Sequence, residues 1–441
     1  MPKILLIQPT QYSSHRRVLI KQKKIYLPGL VFPLLAALTP PHWEVETAIE
    51  VVDEINFDTD AQLIGIGAMG HATFRGLEIA DEFKRRGKTV FFGGYMASIL
   101  PEYVKGHADG VIIGDAEIAY PKLLHDFETT GKIEKVYHYP VEHLDNLPVP
   151  KYELLLKKRI GFMLPVQAAR GCPHSCNFCS IACIYDGKHI SRPVEEVMND
   201  IKRVKELGYK MFYLIDDNLV GNPEYLEALC TRIKPLRMKW ASQCTINIAK
   251  HPELLKLAYD SGCRILSIGI ESLSQEALDS MNKGWVSARE TGQMLKQIMR
   301  AGIMPSTEMI IGTDFDTADS IRDLRKFVDQ VKIPIPRFYI LTPIPGTELH
   351  KEYSDAGRIT VNDFSRYNVT SSVFTPANIS SEQLEEMYRW LNRKIFSIPS
   401  ILRRVVFNPY FFRRPLLGLF ALGVNLQYRA FVKRGDAPNI L

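Results

Sequence analysis

The chain has 441 residues, 46% of them apolar and 24% charged, with a net charge of +6. That is a folded protein longer than one ordinary domain, and the modest charge does not by itself imply nucleic acid. Seven cysteines, an odd number with three clustered, make no disulfide framework and fit a reducing cytoplasm, while no apolar run reaches the about 20 residues of a membrane-spanning helix.

The chain enters a buried strand at Lys3 with no signal-peptide layout, so a cytoplasmic location is expected. Short apolar runs at 3–8, 45–52, 63–69, 89–92 and 110–113 predict strands, and 30–38, 72–86 and 117–127 predict helices between them. Such alternation means an α/β unit, over about 1–140, in which a doubly wound, Rossmann-like parallel sheet is covered on both faces. In such sheets ligands bind beyond the carboxyl ends of the strands. Gly67, Gly70, Gly93, Gly94 and Gly114 stand at those ends, where a missing side chain lets a ligand approach the backbone. No Gly-x-Gly-x-x-Gly follows the first strand, which disfavours a nicotinamide-type site.

A polar, proline-rich connection at 145–150 leads into a second unit, about 141–360. Strands are predicted at 164–169, 211–215, 240–245, 265–270, 306–311 and 338–341, with helices at 193–207, 224–233, 252–261, 287–301 and 318–331. Repeated βα units imply a (β/α)6 partial TIM barrel with its chemistry at the strands' carboxyl ends. The first of these ends delivers Cys172, Cys176 and Cys179 on one short loop. Thiolates are the usual ligands of iron–sulfur clusters, and three of them leave one iron of a cubane free. A zinc site completed by His174 or Cys183 is the alternative, although structural zinc usually staples small, loop-rich modules. Cys183, Cys230, Cys244 and Cys263 read as small buried residues. Further strand ends carry Asp216, Asp217 and Asn218, then Gly269, Glu271 and Ser272, then 312–317 and 343–347. Glu271 can accept hydrogen bonds from hydroxyls or an ammonium, or cap a helix; Asp216 and Asp217 stand between site and capping roles.

A helix predicted at 382–395 packs on the barrel through Leu384, Met387, Trp390, Leu391 and Ile395. It opens a helical C-terminal region, about 361–441, in which Arg403, Arg404, Arg413, Arg414, Arg429, Lys433 and Arg434 face a single acid, Asp436. Bases interleaved with Phe411, Phe412, Leu416, Leu417, Phe420 and Phe431 predict short interfacial helices on an anionic membrane surface. A helical cap with ordinary surface arginines is the alternative; the bases flank apolar runs rather than forming a groove, so no nucleic-acid partner is expected.

Cys-x-x-x-Cys-x-x-Cys with an aromatic, Phe178, before its last cysteine resembles the signature of radical S-adenosylmethionine (SAM) enzymes. The resemblance implies a [4Fe–4S] cluster on Cys172, Cys176 and Cys179, with SAM chelating the open iron and being cleaved to a 5′-deoxyadenosyl radical. It implies that Phe178 contacts the adenine, Glu271 the sugar or amino group and the backbone near Ile311 the adenine edge, with Asp216 also at the cofactor. Segments 32–38, 65–69, 92–98 and 114–117 resemble the cobalamin-binding domain that precedes the barrel in one branch of these enzymes. There Gly67, Met69, Gly93, Gly94 and Gly114 would hold the nucleotide tail and corrin ring. His71 lacks the Asp and Gly of the Asp-x-His-x-x-Gly motif, so no histidine ligand to cobalt is implied.

Asp314-Phe-Asp-Thr317, together with 341–349, 357–359 and 387–397, resembles the group holding hopanoid and bacteriochlorophyll side-chain methylases. That group implies methylation of an unactivated carbon in a lipid-like or polycyclic substrate, isoprenoid or tetrapyrrole. A flavodoxin or ferredoxin would donate electrons, and the enzyme would sit peripherally on the inner face of the membrane, which shortens the substrate's path to the site. Ring formation, rearrangement or C–C coupling by the same radical, and a non-catalytic cobalamin or metal sensor, stay open as alternatives.

Overall fold

The computed structural model of the chain describes residues 1–13, 18–412 and 414–438. Its first six strands are β1 (Lys3–Gln8), β2 (Glu44–Ile49), β3 (Leu63–Gly67), β4 (Thr89–Gly93), β5 (Gly110–Ile113) and β6 (Val136–His138). All pair in parallel, in the order β2-β1-β3-β4-β5-β6. The winding reverses between β1 and β3, the switch point beyond which ligands bind in open α/β sheets. Ile4, Leu5, Leu6 and Ile7 are all buried, as a sheet covered on both faces requires. Strand β6 was not expected, since three residues are too short to show a period.

The later strands are β7 (Leu164–Gln167), β8 (Ala169–Gly171), β9 (His189–Ser191), β10 (Met211–Ile215), β11 (Lys239–Thr245), β12 (Cys263–Glu271), β13 (Met304–Ile311) and β14 (Ile335–Ile340). Six of them make a second parallel sheet in the order β14-β13-β12-β11-β10-β7. Consecutive order with a helix between neighbours is that of a partial barrel, open between β14 and β7. The strand expected over 164–169 stops at Gln167. The chain then turns into β8, which pairs antiparallel with β9 and closes the cysteine segment into a hairpin.

The C-terminal region is helical. Helix Ser381–Ile395 runs down the β14 side: Leu384 lies against Gly312 at the strands' carboxyl end, and the Ile395 carbonyl accepts from Arg404 (2.9 Å) near their amino end. A π-helical turn, Leu402–Val406, and one 20-residue helix, Pro415–Arg434, follow where short helices were expected. Asn425 donates to the Pro334 carbonyl (2.9 Å) just before β14, and Phe420 meets Phe162 (ring centroids 6.0 Å apart) just before β7. The last helix therefore spans the two unpaired edges of the barrel at the amino ends of its strands. Of the residues assigned to a membrane interface, Phe411 is buried and Arg404 is 0% exposed. Arg404 donates instead to the carbonyls of Ile333 (2.8 Å) and Ile395 and to Asn425 Oδ1 (2.9 Å), and burial lowers its pKa to about 10 against the opposing charge of Asp329. Arg413 lies outside the described residues. Among the described residues no helix is long and apolar enough to cross a membrane.

Candidate active site

Cys172, Cys176 and Cys179 lie between β8 and β9, beyond the carboxyl ends of the second sheet. Burial pushes all three thiols up, Cys176 to about 12 although Lys283 opposes it there. Thiols this protonated are poor nucleophiles, and a metal that displaces their protons is what such a buried set fits. A single ion holds its sulfur ligands about 2.3 Å from one point; among the described residues no three Cys, His, Asp or Glu side chains are gathered so. A cubane takes one thiolate at each of three separate irons, which this loop can supply. The fourth ligands a zinc site would need are otherwise engaged. His174 stacks on Trp285 (3.7 Å between centroids, 10° between planes), and Cys183, exposed rather than buried, donates to the Gly346 carbonyl at 3.0 Å. Cys230, Cys244 and Cys263 are buried as expected.

Glu271 ends β12 at φ 62°, beside a register shift, a backbone region that non-glycine residues rarely occupy. Its Oε1 meets Lys283 Nζ at 2.6 Å, and that ammonium also donates to the Gly269 carbonyl (3.1 Å). The pair folds over Gly269, where a Cβ would stand 2.3 Å from Glu271 Oε1. Burial acts to lower the Lys283 pKa, but Glu271 and the thiol groups of Cys176 and Cys179 outweigh it and raise it. A carboxylate and an ammonium thus stand together beside the cysteine loop. The sequence had shown Glu271 but not Lys283.

Asp216 and Asp217 part ways. Asp216 is buried and accepts from His189 Nε2 (3.0 Å) and the Asn218 N–H (2.9 Å), which makes it a buttress under β9 rather than a mouth residue. Asp217 accepts from the Gly171 N–H (2.8 Å), and burial raises its pKa to about 6. Phe178 is half-buried among Leu341, Leu349, Val373 and Phe374. Ile311 is buried, and its carbonyl accepts the Leu341 N–H at 2.8 Å.

The glycine edge of the first sheet faces this loop. Arg170, two residues before Cys172, pairs with Asp115 Oδ1 (2.8 Å) and with Glu117 just after β5, and Tyr185 donates to the same Asp115 oxygen (3.1 Å). Tyr95, next to Gly94, has its hydroxyl buried by the helix Ser180–Tyr185; burial and the Cys179 thiol raise its pKa to about 12. Glu117 Oε2 at this contact, and Asn177 Oδ1 and Asn218 Oδ1 on the barrel side, are buried with no hydrogen-bond partner among the described residues. Each such orphan costs about 1–3 kcal/mol, and at Glu117 a ligand held between sheet edge and loop would relieve it. The edge has room for one. A Cβ on Gly93 would meet only Ile112, at 3.9 Å, one on Gly114 would meet nothing within 4 Å, and Met69 is 75% exposed. A Cβ on Gly67 would meet Phe32 at ordinary distance (3.5 Å), whereas Gly94 is different: at φ 94° its Cβ would stand 2.9 Å from the Ala68 carbonyl oxygen, so the turn itself demands glycine.

Residues 166–328 match the family model of the radical SAM superfamily. Bacteriochlorophyllide d C-8(2)-methyltransferase of Chlorobaculum tepidum is 30% identical over 398 residues, covering 85% of this chain and 87% of its own. Hopanoid C-2 methylase of Rhodopseudomonas palustris is 26% identical over 391 residues, covering 83% and 73%. The radical SAM methyltransferase TsrM of Kitasatospora setae, solved with cobalamin and a [4Fe-4S] cluster bound, shares the fold at a TM-score of 0.69 and 14% identity, covering 99% of this chain and 100% of that one. The signature loop at the carboxyl ends of a six-unit partial barrel and this likeness over most of its length agree, and the chain belongs to the radical SAM superfamily, whose members are enzymes that use a [4Fe–4S] cluster and SAM.

Proposed function

We propose that this enzyme is a cobalamin-dependent C-methyltransferase acting on an unactivated carbon of a lipid-like or polycyclic substrate, isoprenoid or tetrapyrrole. The observation that carries the reading is the open Gly93/Gly114 edge set against the cysteine loop by Arg170, which supports two neighbouring cofactor sites. The names of its relatives, methylases of a bacteriochlorophyllide and of hopanoids, support the same chemistry. When bound, the cluster and SAM supply a carbon-centred radical and the corrinoid supplies the methyl group.

In this reading Cys172, Cys176 and Cys179 hold the cluster and leave one corner for SAM. Glu271 and Lys283, together at 2.6 Å, are the charge complement of an amino acid's ammonium and carboxylate. Phe178 receives the adenine, and the edge of Gly67, Met69, Gly93 and Gly114 lies along the corrin. The half-buried His174–Trp285 stack lies beside the cysteines and helps to cover the loop. Electrons come from a flavodoxin or ferredoxin, and the enzyme works in the cytoplasm, peripherally at the anionic inner face of a membrane, where substrates of this class are held. The test is anaerobic reconstitution with iron, sulfide and corrinoid measured together, followed by transfer of an isotopically labelled methyl from SAM to substrate. Stoichiometric corrinoid and labelled product are expected. 5′-Deoxyadenosine formed without methyl transfer would move the function to ring formation or coupling.

A further inference from the structure

Helix Pro415–Arg434 is apolar on both sides. One side packs, with Ala421, Val424, Asn425 and Tyr428 buried. The opposite side carries Leu416, Leu419, Gly423, Leu426 and Ala430 at alternating steps of three and four residues, which makes one stripe. Leu416, Leu419 and Leu426 are 80%, 63% and 44% exposed, and Phe412 and Phe407 extend the patch at 68% and 60%. A packed helix ordinarily turns polar residues to water. No charge interrupts this stripe from Leu416 to Ala430, about 21 Å along the axis. An exposed apolar patch of this kind marks an interaction surface.

The rim says what covers it. Between Ile398 and Gly435 the chain has Arg and Lys residues and no Asp or Glu. Arg403 and Arg434 keep side chains 54% and 59% exposed, and Lys433 is exposed at the helix end. A second copy of the chain would bring these bases against one another, with Asp329 (3.1 Å) and Asp436 (3.4 Å) already engaged by Arg403 and Arg434 and no further acid in the segment to meet them. An anionic bilayer meets both demands, apolar depth under the stripe and negative headgroups under the rim.

We infer that this face is where the enzyme rests on an anionic membrane, and that the active site then looks away from it. The inference rests on the proposed function only for placing the substrate at a membrane. Arg404, Asn425 and Phe420 fix the face at the amino ends of the barrel strands, whereas the cysteine loop and Glu271 lie at the carboxyl ends. The nine residues of β12, eight rises of about 3.3 Å, alone set its two ends about 26 Å apart. Docking therefore concentrates the enzyme at the surface without opening the site into the bilayer, contrary to the short path expected from sequence. The substrate reaches the mouth from the aqueous side, as an amphiphile with a polar end can and a plain hydrocarbon cannot.

The experiment uses the full chain and vesicles of phosphatidylglycerol with phosphatidylcholine, against phosphatidylcholine alone. Binding to the anionic vesicles is expected, weakening with salt and falling about tenfold or more in Leu416→Glu, whose side chain is solvent-exposed. Orientation is read by brominated-lipid quenching of a new indole, which should occur in Leu416→Trp and not in Phe315→Trp, at the mouth side. Quenching of Phe315→Trp, or vesicle binding indifferent to Leu416→Glu, overturns the inference. So does a solution dimer that Leu416→Glu dissociates while wild type ignores vesicles, which would make the stripe a self-association face. Methyl transfer to detergent-dispersed substrate should be the same in Leu416→Glu and wild type. Its absence from both would defeat the functional proposal and leave the docking result standing.

Discussion

Arg170→Met should separate the assembly of the two cofactor sites from their loading. The Arg170 side chain is 12% exposed, and its partners Asp115 and Glu117 are 17% and 8% exposed. Removing one partner of a buried ion pair costs about 3–5 kcal/mol, because the remaining charge is left uncompensated. The pH dependence has a definite sign. In the native enzyme burial raises Asp115, while at Glu117 burial is outweighed by Arg170 and the pKa is lowered. The share held by Glu117 is thus present above the ordinary carboxylate range and lost as pH falls through its lowered pKa. Without Arg170, burial is opposed only by the Tyr185 hydrogen bond at Asp115 and by backbone N–H groups at Glu117, and it lifts the carboxyls above their unfolded values. The folded variant then takes up protons, and its stability rises as pH falls. Urea unfolding should show the largest deficit at about pH 8 and a smaller one at about pH 5. In the holoenzyme, iron and corrinoid contents should stay near native while more SAM is cleaved per methylated product. A deficit that does not change with pH, or unaltered coupling in a folded variant, would refute the idea that this bridge sets sheet edge against cysteine loop.

Replacing Cys172, Cys176 and Cys179 together by alanine should remove bound iron, the brown colour and all SAM cleavage from a chain that still folds; zinc in stoichiometric amount with no iron in the native protein would overturn the cluster assignment. Gly93→Val should keep the fold, because only Ile112 lies near its Cβ, and abolish corrinoid retention measured by absorbance while sparing SAM cleavage. Gly94→Val, by contrast, should lower soluble yield, because its Cβ meets the Ala68 carbonyl. Lys283→Met should weaken SAM binding by roughly tenfold to a hundredfold, the worth of one charge-assisted hydrogen bond, as read by calorimetry on cluster-loaded enzyme. SAM affinity unchanged in that variant would return Lys283 to a purely structural role.

What the sequence made legible is what is local. Three cysteines at fixed spacing lie on one loop, and strands such as Met211–Ile215 have the length and apolar run that show in a short window. What it hid depends on pairing across distance. Lys283 meets Glu271 twelve residues on, after the short helix Gln275–Ser280, and no periodicity points it there. Arg170 finds Glu117 53 residues away, on the other sheet. The β8–β9 hairpin consists of three-residue strands, too short for alternation to register. Asp216 was ambiguous for a different reason: a carboxylate at a strand end serves a ligand or a neighbouring N–H equally well, and only His189, brought over by that hairpin, decides between them.

The C-terminal helix shows the same limit in another form. Its composition marks it as apolar and basic, but composition has no direction, and here the direction changes the reading. Arg404 is drawn inside because the carbonyls of Ile333, Pro334 and Ile395 need donors where the open edge of the barrel is covered. A guanidinium with five N–H groups serves several such acceptors at once, which a lysine could not match in that geometry. Once Arg404 and Asn425 anchor the segment to the amino ends of the strands, Leu416 and Leu419 have nowhere to face but outward. The carboxyl ends are left to the cysteines, Glu271 and the glycine edge. Sealing the barrel and exposing the stripe are therefore consequences of one set of buried hydrogen bonds. Arg404→Met should test that link by loosening the helix and weakening vesicle binding, although the side chain that is changed never meets the lipid; vesicle binding untouched by a loss of helix protection from hydrogen exchange would break it.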